Sequence, residues 1–371
     1  MQYMSQATGL ADCILLAMAP LGIITTIVSA IRVGGPTWLK AVVGRARENL
    51  SAAEIELMSS TSKEACELWN GRNVIRCQGS ARIWQFICLV QDPVHTDPQA
   101  DDIDEIEKIT IIRDNDLEAP NLSLNCHNRA SRVEIYLMAV IGTLLQIGVL
   151  VFFGFITYYR PIQSHFLKDN NPVANYAFPC AALGTIALVI GMFLCAFVIE
   201  RSTTETFYAP TSGNQAWIVW LQKNHVVNDQ VFQPYAIYPA SGRTFITTSR
   251  RSPELDKQKH DKFKYLGLEA LTFVGTAISL IGFIVQFIGL RGLNWSASVV
   301  QLGAVILMTC ARTWVRRGLA EPPISSRLTS DFELDWLALS LKDLAKREST
   351  GHWKKTLENL VTRSQPHKKS W

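Results

Sequence analysis

Apolar positions in this chain are bunched into long runs rather than spread at helical or strand period. The segments Leu10–Ile31, Ile135–Thr157, Tyr176–Ile199, Leu266–Leu290 and Ser296–Thr309 carry almost no Lys, Arg or His. All but the last reach the roughly 20 residues needed to cross hydrocarbon. The pattern predicts a membrane all-α bundle of about five transmembrane helices. Small residues recur at four-residue spacing within it, as Gly22-Thr26-Ala30, Ala187-Gly191-Cys195 and Gly275-Ser279, a spacing that lets helices approach closely. Ala17-Met18-Ala19 has the form of a signal cleavage site. Yet no basic stretch precedes it and the apolar run continues to Ile31, so a retained helix over residues 1–33, bent at Pro20 and Gly22, is expected.

The polar stretches between the runs carry their own patterns. Residues 34–134 are too long for a bare connection and predict a small α+β module. A helix is expected after Asn49, where Ser51-Ala-Ala-Glu54 has the capping-box pattern. In Cys66-Glu-Leu-Trp-Asn-Gly-Arg-Asn-Val-Ile-Arg-Cys77, the pair Asn70-Gly71 signals a two-residue hairpin turn. That turn sets Trp69 against Arg72 and Cys66 against Ile75, with Cys66, Leu68, Ile75 and Cys77 on one face. Ile83–Val90 is apolar on both faces, as a covered strand would be. An acidic link from Asp97 to Glu105 leads to another strand at Ile106–Ile112. Residues 200–264 predict strands at Ala216–Leu221, Gln230–Tyr238 and Thr244–Thr248, and the two loops together predict one β-rich cap. Residues 135–199 hold two spans, 265–312 a helical hairpin, and 313–371 an amphipathic tail with Leu334, Leu337, Leu341 and Leu344 on one face. A terminal helix carrying Trp353, Leu357 and Leu360 is expected after it.

Charge adds an orientation. The formal net charge of +4 averages two unlike materials, and no basic stripe with interleaved aromatics points to nucleic acid. Arg32, Lys40, Arg45, Arg47, Arg129, Arg132, Arg201, Lys257, Lys259, Lys262, Lys264, Arg312, Arg316 and Arg317 fall on one side if five spans alternate. Only Arg160, Lys168 and Arg291 fall on the other. The positive-inside rule then places the N-terminus outside and the C-terminus in the cytosol. Cys66, Cys77, Cys88 and Cys126 fall in the cytosolic part, where disulfides do not persist. Their spacing lacks the paired pattern of structural zinc, so buried strand cysteines are the preferred reading.

Candidate chemistry is sparse. The chain has no Gly-rich phosphate loop, metalloprotease helix or nucleophile elbow, and no cofactor is expected. Asp12, Glu200 and Glu269 are the acidic residues nearest membrane depth, with Glu269 at a helix N-terminus where the dipole favours an anion. Counting outward from Leu293 puts Gln286 and Gln301 at nearly equal depth on the last two spans and Glu269 level with Arg316 and Arg317. A Gln286–Gln301 hydrogen bond and a Glu269 ion pair are therefore expected to set the register of an antiparallel hairpin. The alternative is that each Gln packs against another span. Asn121-Leu-Ser123 and Asn294-Trp-Ser296 match the glycosylation pattern, but neither position is expected to be modified.

The phrases Pro20-Leu-Gly-Ile-Ile24, Cys66-Glu-Leu-Trp-Asn-Gly71, Trp220-Leu-Gln222 and Val227-Asn-Asp-Gln-Val-Phe232 resemble a group of uncharacterised multi-pass membrane proteins of filamentous fungi. Longer forms of that group carry an ankyrin-repeat label. The resemblance implies a polytopic membrane protein of eukaryotic source and no assigned activity, and no ankyrin unit occurs here. Three functional readings follow: a non-enzymatic membrane scaffold or sensor that contacts the lipid bilayer and a cytosolic protein partner, a channel or transporter, and an enzyme. The first is preferred because polar mass gathers on one side and the spans are poor in charge.

Overall fold

The computed structural model describes residues 9–91, 110–114, 118–126, 130–159, 161, 166, 173–209, 214–227, 229–239, 243, 245–252, 262–320 and 323–346. The acidic link at 97–105, residues 106–109 of the expected fourth strand and the expected helix around Trp353 lie outside them. The chain forms two compact units, one of Met1–Ser59, Arg129–Thr204 and Arg251–Gly318, the other of Ser60–Asn128, Glu205–Arg250 and Leu319–Trp371. The expected 34–134 module therefore begins later, at Ser60, because the helices before it pack with the first unit.

The first unit is helical. Its short helices are α1 (Leu10–Ala17), α2 (Ile23–Gly34), α3 (Thr37–Val42) and α4 (Leu50–Leu57); the second unit contributes α5 (Leu122–Cys126). Four longer helices follow, α6 (Arg132–Tyr158), α7 (Ala177–Arg201), α8 (Lys262–Gly292) and α9 (Trp295–Val315). Each of the four is long and apolar enough to cross a membrane, α8 over Gly267–Gly292. Ser131 Oγ caps α6 by accepting from Glu134 N, and Asn294 Oδ1 caps α9 by accepting from Ser296 N. Capping side chains of this kind satisfy amides the helix itself leaves free.

The first apolar run is not the single bent helix expected over residues 1–33. It breaks at Met18–Gly22 into α1 of 8 residues and α2 of 12. Pro20 has no N–H to donate and disfavours helix in the residue before it. Gly22 then takes a left-handed φ of 80° and Ala19 a φ of 45°, which reverses the chain instead of kinking it. At about 1.5 Å per residue, α1 and α2 run about 12 and 18 Å, each short of the roughly 30 Å of a bilayer core.

Helices α7 and α8 form the centre of this unit. They run antiparallel in one unbroken register, with Ala181 against Gly289, Gly184 against Gln286, Leu188 against Gly282 and Gly191 against Ser279. A Cβ built on any of those glycines would collide with the facing backbone. Glycines seven residues apart on both helices thus allow backbone-to-backbone approach, where dispersion is densest. Phe153, Ile156, Val173, Ala177, Leu293 and Ala297 share one apolar cluster, so the end of α6, the start of α7, the end of α8 and the start of α9 meet at one end of the bundle, the far end. The opposite ends of the four helices form the near end.

The second unit is built on a five-stranded antiparallel sheet of order β11-β9-β6-β3-β4. Its strands are β3 (Ile83–Gln91), β4 (Thr110–Asp114), β6 (Asn214–Gln222), β9 (Tyr235–Tyr238) and β11 (Ile324–Arg327). β1 (Ala65–Trp69) and β2 (Val74–Gln78) form a hairpin, as do β7 (His225–Val227) and β8 (Gln230–Phe232), while β5 (Thr203–Tyr208) pairs with β10 (Ile246–Arg251). The expected Gln230–Tyr238 strand divides at Gln233-Pro234, since proline cannot donate to a ladder. Period-two alternation assigns the two faces of the sheet. Ile218 and Trp220 join Leu122 and Cys126 of α5, and Phe86 and Leu221 join Leu337 of α10 (Glu333–Lys346). Both faces of β3 are covered, which is what its doubly apolar sequence requires.

The expected capping box at Ser51–Glu54 does not form. Helix α4 begins at Leu50 without a side-chain cap, because Glu54 is fully buried and ion-paired with Arg251. Helix α10 begins only at Glu333, whose Oε1 accepts from Asp331 N.

Candidate functional site

Backbone carbonyls lose their helical donors where α1 ends, and one side chain meets them. Arg312, on the buried stripe of α9 with Ala304 and Met308, is 8% exposed. Its Nε donates to Leu15 O at 3.1 Å, and its Nη2 donates to Leu16 O at 3.2 Å, Met18 O at 2.5 Å and Ala19 O at 3.2 Å. A buried guanidinium requires partners for its planar fork of donors. The interrupted chain supplies four of them: Leu15 and Leu16 at the negative pole of the α1 C-terminus, and Met18 and Ala19 in the break that follows it.

One turn further along α9, Arg316 reaches Asp12 of α1 at 3.0 Å, and that carboxylate is 2% exposed. Arg317 pairs with Glu134 at 2.5 Å, and Trp314 Nε1 donates to the same carboxylate at 3.0 Å. The start of α1 therefore lies beside the end of α9 and the start of α6. A Cβ at Gly34 would meet Val198, Thr272 and Leu268, so α2 ends beside the end of α7 and the start of α8. Both ends of the α1–α2 hairpin stand at the near end; the reversal lies part-way along the bundle, with Ala19 buried and Met18 close to Gly142 and Met308, while Leu21 and Ile24 on its other side are exposed. Arg32 at the end of α2 is held by Glu48 and Glu56, both at 2.5 Å.

The residues singled out in the sequence fall elsewhere. Gln286 does not meet Gln301; its Nε2 donates to Thr185 Oγ1 on α7 at 2.9 Å. Counting from the shared link sets depth along the two helices but not which way a side chain faces, and the glycine row that turns α8 toward α7 carries Gln286 with it. Gln301 Oε1 is buried without a hydrogen-bond partner. Arg316 and Arg317 are taken by Asp12 and Glu134 instead of Glu269. Glu269 is half-buried and acts at a distance on Lys40, whose ammonium is lowered chiefly by burial while Glu48 and Glu269 oppose the shift.

Asn70 and Gly71 do form the hairpin end, one residue out of the expected phase. Trp69 pairs with Val74 and Cys66 with Cys77. Asn70 N donates to Asn73 O, and Asn70 Oδ1 accepts from the backbone of Arg72 and Asn73. The turn is centred on Gly71-Arg72, with the positive φ of 93° on Gly71 alone. A slip of two in pairing leaves side-chain parity unchanged, so Cys66, Leu68, Ile75 and Cys77 still share a face.

In the sheet unit, the buried polar groups are matched to one another. Glu67 accepts from Ser123 N and Oγ and pairs with Arg76 across the hairpin. Gln222 exchanges hydrogen bonds with both backbone groups of Trp69, and Trp220 Nε1 donates to Gln85 Oε1 at 2.8 Å. Asn121 Oδ1 accepts from Ser249 N, and its residue is 1% exposed. Burial pushes the Cys66 thiol up to about 12, helped by nearby Cys77, and the Cys88 thiol up to about 11. Among the described residues no three His, Cys, Asp or Glu side chains gather as metal ligands.

Neither the Arg312 contact with the α1 carbonyls nor the Asp12–Arg316 pair was among the sequence-based expectations. The available signals were Pro20-Leu-Gly22 inside an apolar run and an arginine immediately after an apolar helix face. No known protein family, curated protein or solved structure matches the chain.

Proposed function

We propose that this protein is a non-enzymatic membrane scaffold or sensor, with four spanning helices, a re-entrant α1–α2 hairpin and a cytosolic sheet unit that contacts a protein partner. The observation that carries the reading is connectivity. β3 and β4 precede α6, β6 and β9 lie between α7 and α8, and β11 follows α9. One sheet is thus threaded by three chain segments, each continuous with apolar helices. In this reading the signal runs along those covalent connections, from the apolar helices to the strands of one hydrogen-bonded element and back when a partner binds it.

In this reading the near end faces the cytosol, because the cations that flank the four helices gather there. The N-terminus then joins the C-terminus in the cytosol, in place of the extracytosolic position that five alternating spans would give. Tags at the two ends read by protease protection test it: protection of one end only, in sealed vesicles, refutes the hairpin topology. For the scaffold itself, full-length protein in nanodiscs is expected to hold a protein partner that Trp220→Ala, which opens the sheet core, releases. Proteoliposomes are expected to show no solute flux above empty vesicles.

The second reading, a channel or transporter, is favoured by one observation, the interrupted helix. Irregular backbone at membrane depth occurs where it is buried in protein or lines a water-filled path. Here Leu15, Ala17 and Ala19 are buried and Arg312 occupies the freed carbonyls, which favours the sealed case. Flux in proteoliposomes that Arg312→Ala alters would reverse the order of the two readings.

A further inference from the structure

We propose that the reversal of the α1–α2 hairpin is a cation cradle whose resident cation is the tethered Arg312 guanidinium, and that this occupancy is what keeps the hairpin seated in the bundle. Arg312 is a positioning residue in this scheme. The cradle consists of Leu15, Leu16, Met18 and Ala19 carbonyls, all within 3.2 Å of two nitrogens of one planar group. Pro20 and the left-handed Gly22 remove the turn that would have capped them. Polar backbone of this kind is costly in an apolar interior unless it is paired.

The shape of the cradle specifies its ligand. Its carbonyls are reached by Nε and Nη2, the fork edge of a guanidinium, so a planar donor fits and a compact ammonium with three donors on one atom fits less well. Arg32 and Arg251 sit on carboxylates instead. The plainer account is that apolar packing of Leu15, Ala17 and Ala19 seats the hairpin and Arg312 simply occupies what is left. The two accounts differ in whether a free guanidinium replaces the tethered one.

The test uses the full chain in nanodiscs with Ala19→Cys as a reporter, labelled by a water-soluble maleimide and read at residue 19 by peptide mass spectrometry. The reporter alone is expected to label slowly, since Ala19 is 2% exposed. Adding Arg312→Ala is expected to raise the labelling rate roughly tenfold to a hundredfold, the change in opening expected when several buried carbonyls lose their donors. Guanidinium chloride at sub-denaturing concentration should reverse that rise saturably, whereas sodium chloride and urea at equal concentration should not. Arg312→Lys should label at an intermediate rate. Unchanged labelling in Arg312→Ala, or a rise that guanidinium does not reverse better than sodium does, overturns the proposal. If Arg312→Ala does not assemble, Arg312→Gln carries the same comparison, and recovery of folded protein only when guanidinium is present supports it.

Discussion

Arg316 Nη2 lies 3.0 Å from Asp12 Oδ1 across 304 positions of sequence, and it ties α1 to the end of α9. The carboxylate is buried and the arginine nearly so. Removing one member of such a pair leaves the other charged and desolvated, a cost of about 3–5 kcal/mol for a fully buried pair. Asp12→Asn and Arg316→Gln are each expected to lower the thermal midpoint in detergent. The exchange Asp12→Arg with Arg316→Asp should recover part of the loss, and a double-mutant cycle with no coupling would contradict the pairing.

The glycine register of α7 and α8 makes a graded prediction. Gly191→Val and Gly282→Val must push two backbones apart and are expected to destabilise the helical unit by about 1–3 kcal/mol or more, the range for overpacking. Gly148→Ala and Gly303→Ala, where an added Cβ meets nothing within 4 Å, should be neutral or slightly stabilising through helix propensity. Thermal unfolding of the four variants gives the ranking, and equal effects would refute the close approach.

At the β1–β2 turn, a branched residue in place of Gly71 meets both the positive φ and Tyr235 Oη, 2.9 Å from where a Cβ would stand. Gly71→Val is expected to cost about 1–3 kcal/mol. Asn70→Ala, which removes two accepted amide bonds, should cost about 1 kcal/mol. Limited proteolysis between β1 and β2 measures both, and Gly71→Val as resistant as the unaltered protein would exclude this turn.

These outcomes show where the sequence was informative. Long apolar runs, the doubly apolar β3 and the alternation in β6 were legible because burial on one or two faces leaves a periodic trace. The Asn70-Gly71 signal located the hairpin, and its parity survived an error of phase because that error shifted the pairing by two. Asp12 was not matched with Arg316 because five alternating spans put the start of the first apolar run and the end of the last at opposite ends of the bundle, and one proline-glycine break changes that arrangement. Arg312 was counted as an end-of-span cation because its place beside an apolar helix face does not identify its partners, carbonyls almost 300 residues away.

The buried thiols of the sheet unit predict a pH effect with a definite sign. Burial raises the Cys66 thiol from the ordinary 9.0 to about 12 and the Cys88 thiol to about 11. The unfolded chain therefore releases these protons first. Their contribution to stability is intact below pH 9 and is lost as pH rises through 11 to 12. Native Cys66 and Cys88 should resist alkylation at pH 8.5 and react at once in denaturant. Rapid labelling of either in the folded protein would place a thiolate where burial forbids one.

The side chain of Gln286 reports which helix faces α8 at that depth. Its amide donates to Thr185 Oγ1 at 2.9 Å, and Gly184, beside Thr185, is the point where α7 touches the Gln286 backbone. The bond is modest, about 0.6 to 2 kcal/mol for interhelical contacts in membranes, so its consequence is register more than stability. Thr185→Cys with Gln286→Cys is expected to cross-link efficiently under mild oxidation. Gln286→Cys with Gln301→Cys is expected to cross-link poorly, although the two positions are nearly equidistant along the chain from Leu293. Native Cys180, Cys195 and Cys310 supply competing thiols, so the linked peptides must be identified by mass spectrometry. Preferential linkage of 286 to 301 would mean that α8 turns its polar face to α9, and the glycine register with α7 would have to be abandoned with it.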